Sequence, residues 1–86
     1  MPELSRFFGV IIRMFYGDHR PPHFHARYGK HRATVAIETL TVLTGGLPPR
    51  AMGLVIEWAA LHQSELRAAW ALAVNLRPLQ PIEPLE

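Results

Sequence analysis

A short stretch near the start of the chain holds three histidines within seven positions, His19, His23 and His25. Imidazole is a common metal ligand and also the side chain that takes and gives protons near neutral pH. His23 and His25 lie two positions apart in a segment that alternates polar and apolar residues. On a β-strand this spacing puts both side chains on one face, about 6.5–7 Å apart, where they can converge on one ion or one substrate.

One interpretation of this stretch is a metal site. His19, from the loop before the strand, completes a set of three nitrogen ligands with His23 and His25. Asp18 offers a carboxylate, either as a further ligand or as a hydrogen-bond acceptor behind a histidine. The chain has no cysteine and no obvious fourth ligand. We therefore expect a divalent ion such as Zn²⁺ with water in its open position, in a metal-binding protein or a metal-dependent hydrolase.

A second interpretation uses the same strand without a metal. His23 and His25 are candidates for acid–base catalysis, and Arg27 on the same face stabilises charge that develops on a phosphoryl group. Further side chains on the candidate surface for RNA or another anion are Arg13, Arg20, Arg27, Lys30, Arg32 and Tyr16. On this interpretation the protein binds RNA or acts as a ribonuclease.

The charge distribution favours an anionic partner for the first part of the chain. Residues 1–32 carry six basic and two acidic side chains, whereas the remainder carries three and five. Eight of the nine basic residues are arginine, which suits bidentate contact with phosphate. A solvated face would show the same pattern. The third interpretation is therefore a non-catalytic module that docks a protein through a sheet edge or its proline-rich tail.

The candidate residues are positioned by a predicted β-hairpin. Residues 23–28 and 31–38 both alternate, and a two-residue Gly29-Lys30 turn of type II′ joins them. In this register one face carries His23, His25, Arg27, Arg32, Thr34 and Glu38. The opposite, apolar face carries Phe24, Ala26, Tyr28, Ala33, Val35 and Ile37. A slip by one residue would mix the two sets, so the pattern specifies the register.

The same register sets two positive charges against each other. It pairs Arg27 with Arg32 directly across the two strands, which is unfavourable unless an anion or a nearby carboxylate such as Glu38 compensates. The pair is therefore a second indication of a bound anion.

The remaining segments complete an α+β domain. Residues 7–16 are rich in β-branched and aromatic side chains and predict a first strand, with a bulge at Gly9. Residues 40–44 predict a short final strand or an irregular extension. The expected sheet is therefore antiparallel with three or four strands.

The second half of the chain is predicted to be helical from Pro48-Pro49 onward, because apolar residues recur there at steps of three and four. It forms either one long helix or two helices with a break near Gln63, and Ser64 would cap the second. The helices cover the apolar face of the sheet. Residues 1–76 form the domain, and residues 77–86, with proline at every third position, form an extended tail that docks on a surface or stays loose.

Length and composition exclude several classes of protein. A chain of 86 residues supports one domain with a small core. Without cysteine there is no disulfide framework and no thiolate chemistry, which favours the cytoplasm, and neither a signal peptide nor a membrane span is apparent. Phosphate-loop, dinucleotide-binding and hydrolase-elbow motifs are missing as well.

Several segments together resemble a known bacterial family, the domain of unknown function 4160. The most specific is Pro21-Pro22-His23-Phe24-His25-Ala26. The others are Pro2–Gly9, Tyr16–His19, Ile37–Leu40, Glu57–Ala59 with His62 and Trp70, and Ile82–Leu85. The resemblance implies a small α+β protein that works with a partner chain encoded nearby, in a gene layout like that of a toxin–antitoxin pair. It names no active site.

The leading hypothesis is thus a partner-regulated, toxin-like module that engages RNA through its His/Arg face. The metal-binding protein and the interaction module are the alternatives. Because so small a core is marginally stable, we expect a homodimer or a complex with a partner protein.

Overall fold

The computed structural model describes residues 2–86 as a five-stranded antiparallel sheet followed by two helices. The elements are β1 (Glu3–Phe7), β2 (Val10–Arg13), β3 (His23–Tyr28), β4 (His31–Ala36), β5 (Val42–Gly45), α1 (Pro49–Leu61) and α2 (Gln63–Val74). Each strand pairs with the next one along the chain, in the order β1-β2-β3-β4-β5. The predicted α+β class is confirmed, with one strand more than the largest number expected.

The extra strand is β1, which lies almost entirely before the predicted strand of residues 7–16, and the chain reverses at the start of that segment. Phe8 and Gly9 form a tight turn between β1 and β2, with φ angles of 47° and 84°. Two successive positive φ angles are typical of a type I′ hairpin turn. Gly9 therefore lies in a turn, and the predicted bulge at this position is wrong. The sequence concealed the reversal because the first turn position holds a phenylalanine where asparagine is usual.

The β3–β4 hairpin has the predicted register. Arg27 lies opposite Arg32, His25 opposite Thr34, and His23 opposite Ala36. Gly29 has a φ of 58°, as the first central residue of a type II′ turn requires. All the predicted apolar side chains on this hairpin are buried except Tyr28, which lies at the end of the sheet. The alternation in the sequence thus correctly predicts which side chains lie on each face of the sheet.

The two helices are separated at His62, which has φ −120° and ψ 25°. The predicted break is therefore present, but α2 begins at Gln63, so Ser64 lies inside the helix and makes no cap. The Gln63 side chain instead donates hydrogen bonds to the carbonyls of Ile37 (2.7 Å) and Glu38 (3.1 Å), which ties the helix junction to the sheet. Within residues 2–86 neither helix has the length and apolarity needed to cross a bilayer.

The core lies between the helices and one face of the sheet. Trp58 of α1 is fully buried, and its ring lies 5.5 Å from that of Phe7 and 5.9 Å from that of Phe24. The other large, fully buried side chains are Leu4, Ile12, Met14, Ile37, Leu66, Val10, Val35 and Val55. The helices cover only this face, so the opposite face of the sheet is left for polar side chains.

The proline-rich tail packs on the edge of this core. The backbone N–H of Ile82 donates to the carbonyl of Leu4 in β1 at 2.7 Å, and the Trp58 indole N–H donates to the carbonyl of Glu83 at 2.8 Å. The Ile82 side chain is only 5% exposed. The tail therefore covers the β1 edge and satisfies the one polar atom of the central tryptophan.

We predict that Ile82→Ala lowers the free energy of unfolding by about 2–4 kcal/mol, because it leaves a cavity beside a well-packed core. Urea denaturation followed by tryptophan fluorescence measures the change. Leu61→Ala removes a similar volume from an exposed position and should change stability by no more than about 0.5 kcal/mol. Equal effects of the two variants would show that the tail contributes nothing to the core.

Candidate functional site

The candidate site is built on the loop between β2 and β3. The backbone N–H of Gly17 donates to the carbonyl of Ala73 in α2 at 3.2 Å, which fastens the loop to the second helix. One carboxylate oxygen of the next residue, Asp18 Oδ1, accepts the backbone N–H of His19 at 2.9 Å. This hydrogen bond orients the carboxylate so that its other oxygen faces the start of β3.

Two histidines of β3 converge on that oxygen. Asp18 Oδ2 lies 2.9 Å from His23 Nε2 and 3.4 Å from His25 Nε2. The three ligand atoms all lie within 4.8 Å of one another. We call Asp18, His23 and His25 the Asp18 cluster. It joins the predicted pair of strand histidines to the carboxylate expected beside them.

The hydrogen bonds of His23 fix which of its nitrogens carries a proton. His23 Nδ1 lies 2.7 Å from the carbonyl oxygen of Pro21. A carbonyl can only accept, so Nδ1 is the donor. Nε2 of a neutral ring is then a lone pair directed at the Asp18 carboxylate, an arrangement of two acceptors. A proton or a shared metal ion can link these two atoms.

His23 is the sheltered member of the cluster. Its side chain is only 9% exposed, and its ring lies 5.3 Å from that of Trp70 in α2. Although the strand pattern sets His23 on the polar face, it sits at the end of the sheet, where the second helix and the loop cover it. A charge held there is shielded from water and interacts strongly with its neighbours.

His25 is the open member of the cluster, with 30% of its side chain exposed, and its ring packs nearly perpendicular to that of Phe15 with 4.1 Å between the ring centroids. Partial burial lowers the pKa of His25, and the hydrogen bond to Asp18 opposes this effect only in part. Burial also acts to raise the pKa of Asp18, but the His19 N–H and the two histidines outweigh it, so that pKa lies below its usual value. Near neutral pH Asp18 is therefore ionised.

Beside the cluster, the open face of the sheet forms a cleft of about 430 Å³. Arg13, Arg27 and Arg32 line it together with His25, Phe15 and Thr34. Arg27 lies opposite Arg32, and Arg13 opposite His25. We call this region the arginine cleft. None of its three arginines has an ion-pair partner among residues 2–86.

The carboxylate expected to compensate the arginine pair is engaged elsewhere. Glu38 accepts a hydrogen bond from Arg67 Nε of α2 at 2.8 Å, and this bond lowers the pKa of Glu38. The suggestion that Glu38 offsets the Arg27–Arg32 repulsion is therefore wrong. Arg27 donates only to the carbonyl of Gly29, at 2.9 Å. Among residues 2–86 the Arg27–Arg32 pair therefore has no ion-pair partner, whereas Arg13 lies opposite Glu3 of β1, whose carboxylate pairs with Arg6.

Other predicted site residues lie outside these two features. The His19 ring is 92% exposed, with its Nδ1 3.2 Å from Asp18 Oδ1, and it is not among the three converging ligands. Arg20, Lys30 and Tyr16 are exposed and do not line the cleft. The sequence pattern did not single out Phe15 and Trp70, whose rings pack on the two histidines. Phe15 belonged to a run of apolar residues that pointed only to a strand.

A family model described as Domain of unknown function (DUF4160) matches residues 9–71, a span that contains the Asp18 cluster and the three arginines of the cleft. No curated protein and no solved structure matches the chain.

We predict that Asp18→Asn makes stability less dependent on pH in acid. The native pKa of Asp18 is depressed, so below about pH 4 the unfolded chain binds a proton that the native protein does not. The native state thus loses stability as the pH falls through the native pKa. Urea midpoints measured from pH 5 down to pH 2 should fall more steeply for the unmodified protein than for Asp18→Asn.

Glu57→Gln is the control for that experiment, since it removes an exposed carboxylate that makes no ion pair among residues 2–86. It should leave the slope unchanged. Parallel pH profiles for Asp18→Asn and the unmodified protein would contradict the depressed pKa.

Proposed function

Since the chain belongs to the family described as domain of unknown function 4160, we propose that it is an RNA-directed module that holds a phosphodiester backbone in the arginine cleft, against His25. One observation carries the proposal. His25 lines the cleft and is at the same time a member of the Asp18 cluster. An anion held by the arginines therefore lies next to a histidine that is hydrogen-bonded to a carboxylate.

The arginine cleft suits a phosphodiester chain. Arg27 and Arg32 lie side by side without a counter-charge, and such like-charge pairs across strands are destabilising until an anion binds. Guanidinium groups match phosphate oxygens in a bidentate manner. Arg13 adds a third charge one strand away. Three arginines on one open sheet face fit a chain of phosphates better than a single small anion.

The Asp18 cluster supplies the groups that a cleavage reaction needs. Asp18 accepts a hydrogen bond from the Nε2–H of His25, so the basic nitrogen of that ring is Nδ1. A carboxylate orients the histidine of a catalytic triad in a similar way. The lowered pKa keeps that ring neutral near pH 7, so it can take a proton from an attacking hydroxyl. Arg27 is then the group that stabilises negative charge on the phosphate.

The regulatory part of the proposal is control by a partner protein, as for the toxin-like member of a bacterial pair acting in the cytoplasm. The surface that supports it is the edge strand β5. Its Val42 and Leu43 side chains are exposed, whereas the tail covers the opposite edge of the sheet at Leu4. An uncovered edge strand with apolar side chains is a common place for a second chain to pair.

We predict that Arg27→Ala and Arg32→Ala each weaken RNA binding and lower the salt dependence of the affinity. For a single strand, the slope of log K against log salt falls by about 0.7 for every phosphate that the protein no longer neutralises. Fluorescence anisotropy with a labelled oligonucleotide across a KCl series measures both quantities. Arg77→Ala carries the same charge change outside the cleft and should leave the slope unchanged.

Cleavage of the labelled RNA by the unmodified protein, abolished in His25→Ala, would show that the cleft is catalytic. Binding without cleavage would limit the module to RNA binding. If none of the variants differs from Arg77→Ala, the proposal fails, and docking of a protein becomes the preferred interpretation.

The second candidate function is metal binding, and the hydrogen bonds of His23 favour it. Its Nδ1–H is held by a backbone carbonyl, as in many metal-binding histidines, while Nε2 faces a carboxylate oxygen. Two imidazoles and one carboxylate are a frequent donor set for divalent ions such as Zn²⁺ or Fe²⁺. The separations of 2.9 and 3.4 Å resemble those of ligands that share one ion with bonds of about 2.0–2.1 Å. A bound ion would act as a Lewis acid beside the cleft.

We predict that protein purified without a histidine tag contains about one divalent metal ion per chain, and that His23→Ala/His25→Ala contains none. Elemental analysis measures the content. His19→Ala should retain the ion, because that ring lies outside the three converging ligands. If His19→Ala loses the metal, the ligands are His19, His23 and His25, as expected from the sequence. If the unmodified protein stays metal-free after supplementation with Zn²⁺ or Fe²⁺, this function is ruled out.

A further inference from the structure

The turn between β1 and β2 holds a residue that is unfavourable there on structural grounds. Phe8 has a φ of 47°, in the left-handed region that bulky side chains rarely adopt. Its side chain is 60% exposed, so burial does not offset the strain. Asparagine would suit the backbone better and would keep an aromatic ring out of water. Leu76 is also exposed at a positive φ of 55°, so strain and exposure alone assign no role to Phe8, and the case for a role depends on the neighbours of its ring.

A second aromatic ring and a free arginine lie beside Phe8. The Tyr28 ring packs against Gly9, and a Cβ atom at this position would lie 3.2 Å from Tyr28 Cε1. Phe8, Tyr28 and Arg50 border a shallow groove of about 330 Å³, with Pro48 and Leu54 also in its lining. We call Phe8, Tyr28 and Arg50 the aromatic platform. Arg50 makes no ion pair among the described residues.

The aromatic platform is close to the arginine cleft. Tyr28 lies three positions after His25 in β3, about 10 Å along the extended chain. Arg27 lies between them, on the face of the strand opposite to Tyr28, and Lys30 follows in the adjoining turn. A strand of nucleic acid that leaves the cleft past Arg27 reaches the platform around the end of the sheet. Arg27 and Lys30, which make no ion pair among residues 2–86, lie along this path.

From this arrangement we infer that the aromatic platform stacks unpaired bases, so that the RNA bound by the protein is single-stranded. The inference rests on the proposed RNA-directed function and names its substrate class. Exposed aromatic rings next to arginines bind single strands by stacking, because every base offers a flat apolar face, whereas a duplex hides those faces. The free guanidinium groups suit a polyanion and disfavour an ordinary apolar protein segment at this end of the sheet.

Fluorescence anisotropy with three labelled probes tests the inference: octauridine, an abasic ribose-phosphate octamer of the same charge, and an RNA duplex. Octauridine should bind about tenfold more tightly than either the abasic octamer, which has no bases, or the duplex, whose base faces are hidden. Phe8→Asn should abolish most of this difference while raising the urea midpoint, since asparagine relieves the turn. A variant that becomes more stable and yet binds less tightly cannot owe its weaker binding to misfolding.

Leu76→Asn is the matched control, because Leu76 is also exposed at a positive φ of 55° but follows α2, away from the platform. It should leave octauridine affinity unchanged. Equal affinities for octauridine and the abasic octamer would overturn base stacking on the aromatic platform but not phosphate binding in the arginine cleft. Equal octauridine affinities of Phe8→Asn and the unmodified protein would have the same meaning. Failure of every probe to bind would instead overturn the RNA-directed function itself.

Discussion

The alternation of side chains along β3 is the constraint on which the rest of the structure depends. This strand is the middle one of five, so its two faces decide which side of the sheet the helices cover. Phe24 and Ala26 point into the core against α1, while His25 and Arg27 point to the open side. A shift of one residue would bury the charges and expose the core, which makes every other register far less stable. The same alternation therefore decides which side of the sheet carries His25 and Arg27 and which side forms the hydrophobic core.

The Asp18 cluster shows how that alternation is used at the end of the strand. His23 and His25 share a face, but Trp70 covers the first while the cleft leaves the second open. The Asp18 carboxylate faces Nε2 of both rings, but His23 is also held at Nδ1 by the Pro21 carbonyl, whereas His25 borders the open cleft. Two identical side chains on one face of a strand thus lie in different environments. Attachment of the loop to α2 through Gly17 holds this asymmetry in place.

The two candidate binding features share a departure from ordinary packing. The arginine cleft retains paired like charges, and the aromatic platform retains an exposed phenylalanine in a strained turn. At other places local preferences and tertiary contacts agree, as at the Glu38–Arg67 ion pair and the hydrogen bonds of Gln63, although Leu40 and Leu76 also have positive φ angles. Proteins depart from that agreement mainly where a ligand compensates for it. Both departures lie on surfaces that the helices and the tail leave uncovered.

The sequence by itself determined the β3–β4 hairpin, its register and the shared side of His25 and Arg27, because a period of two and a glycine turn are local properties. It did not reveal the reversal at Phe8, where a tertiary fold tolerates a residue that turn preferences disfavour. Only the tertiary structure decided that Asp18 meets His23 and His25 while His19 points into solvent. It alone decided that Glu38 pairs with Arg67 and leaves the arginine pair without a counter-charge. These contacts join segments distant in the chain or separated by an irregular loop, so no pattern along the sequence encodes the distances between them.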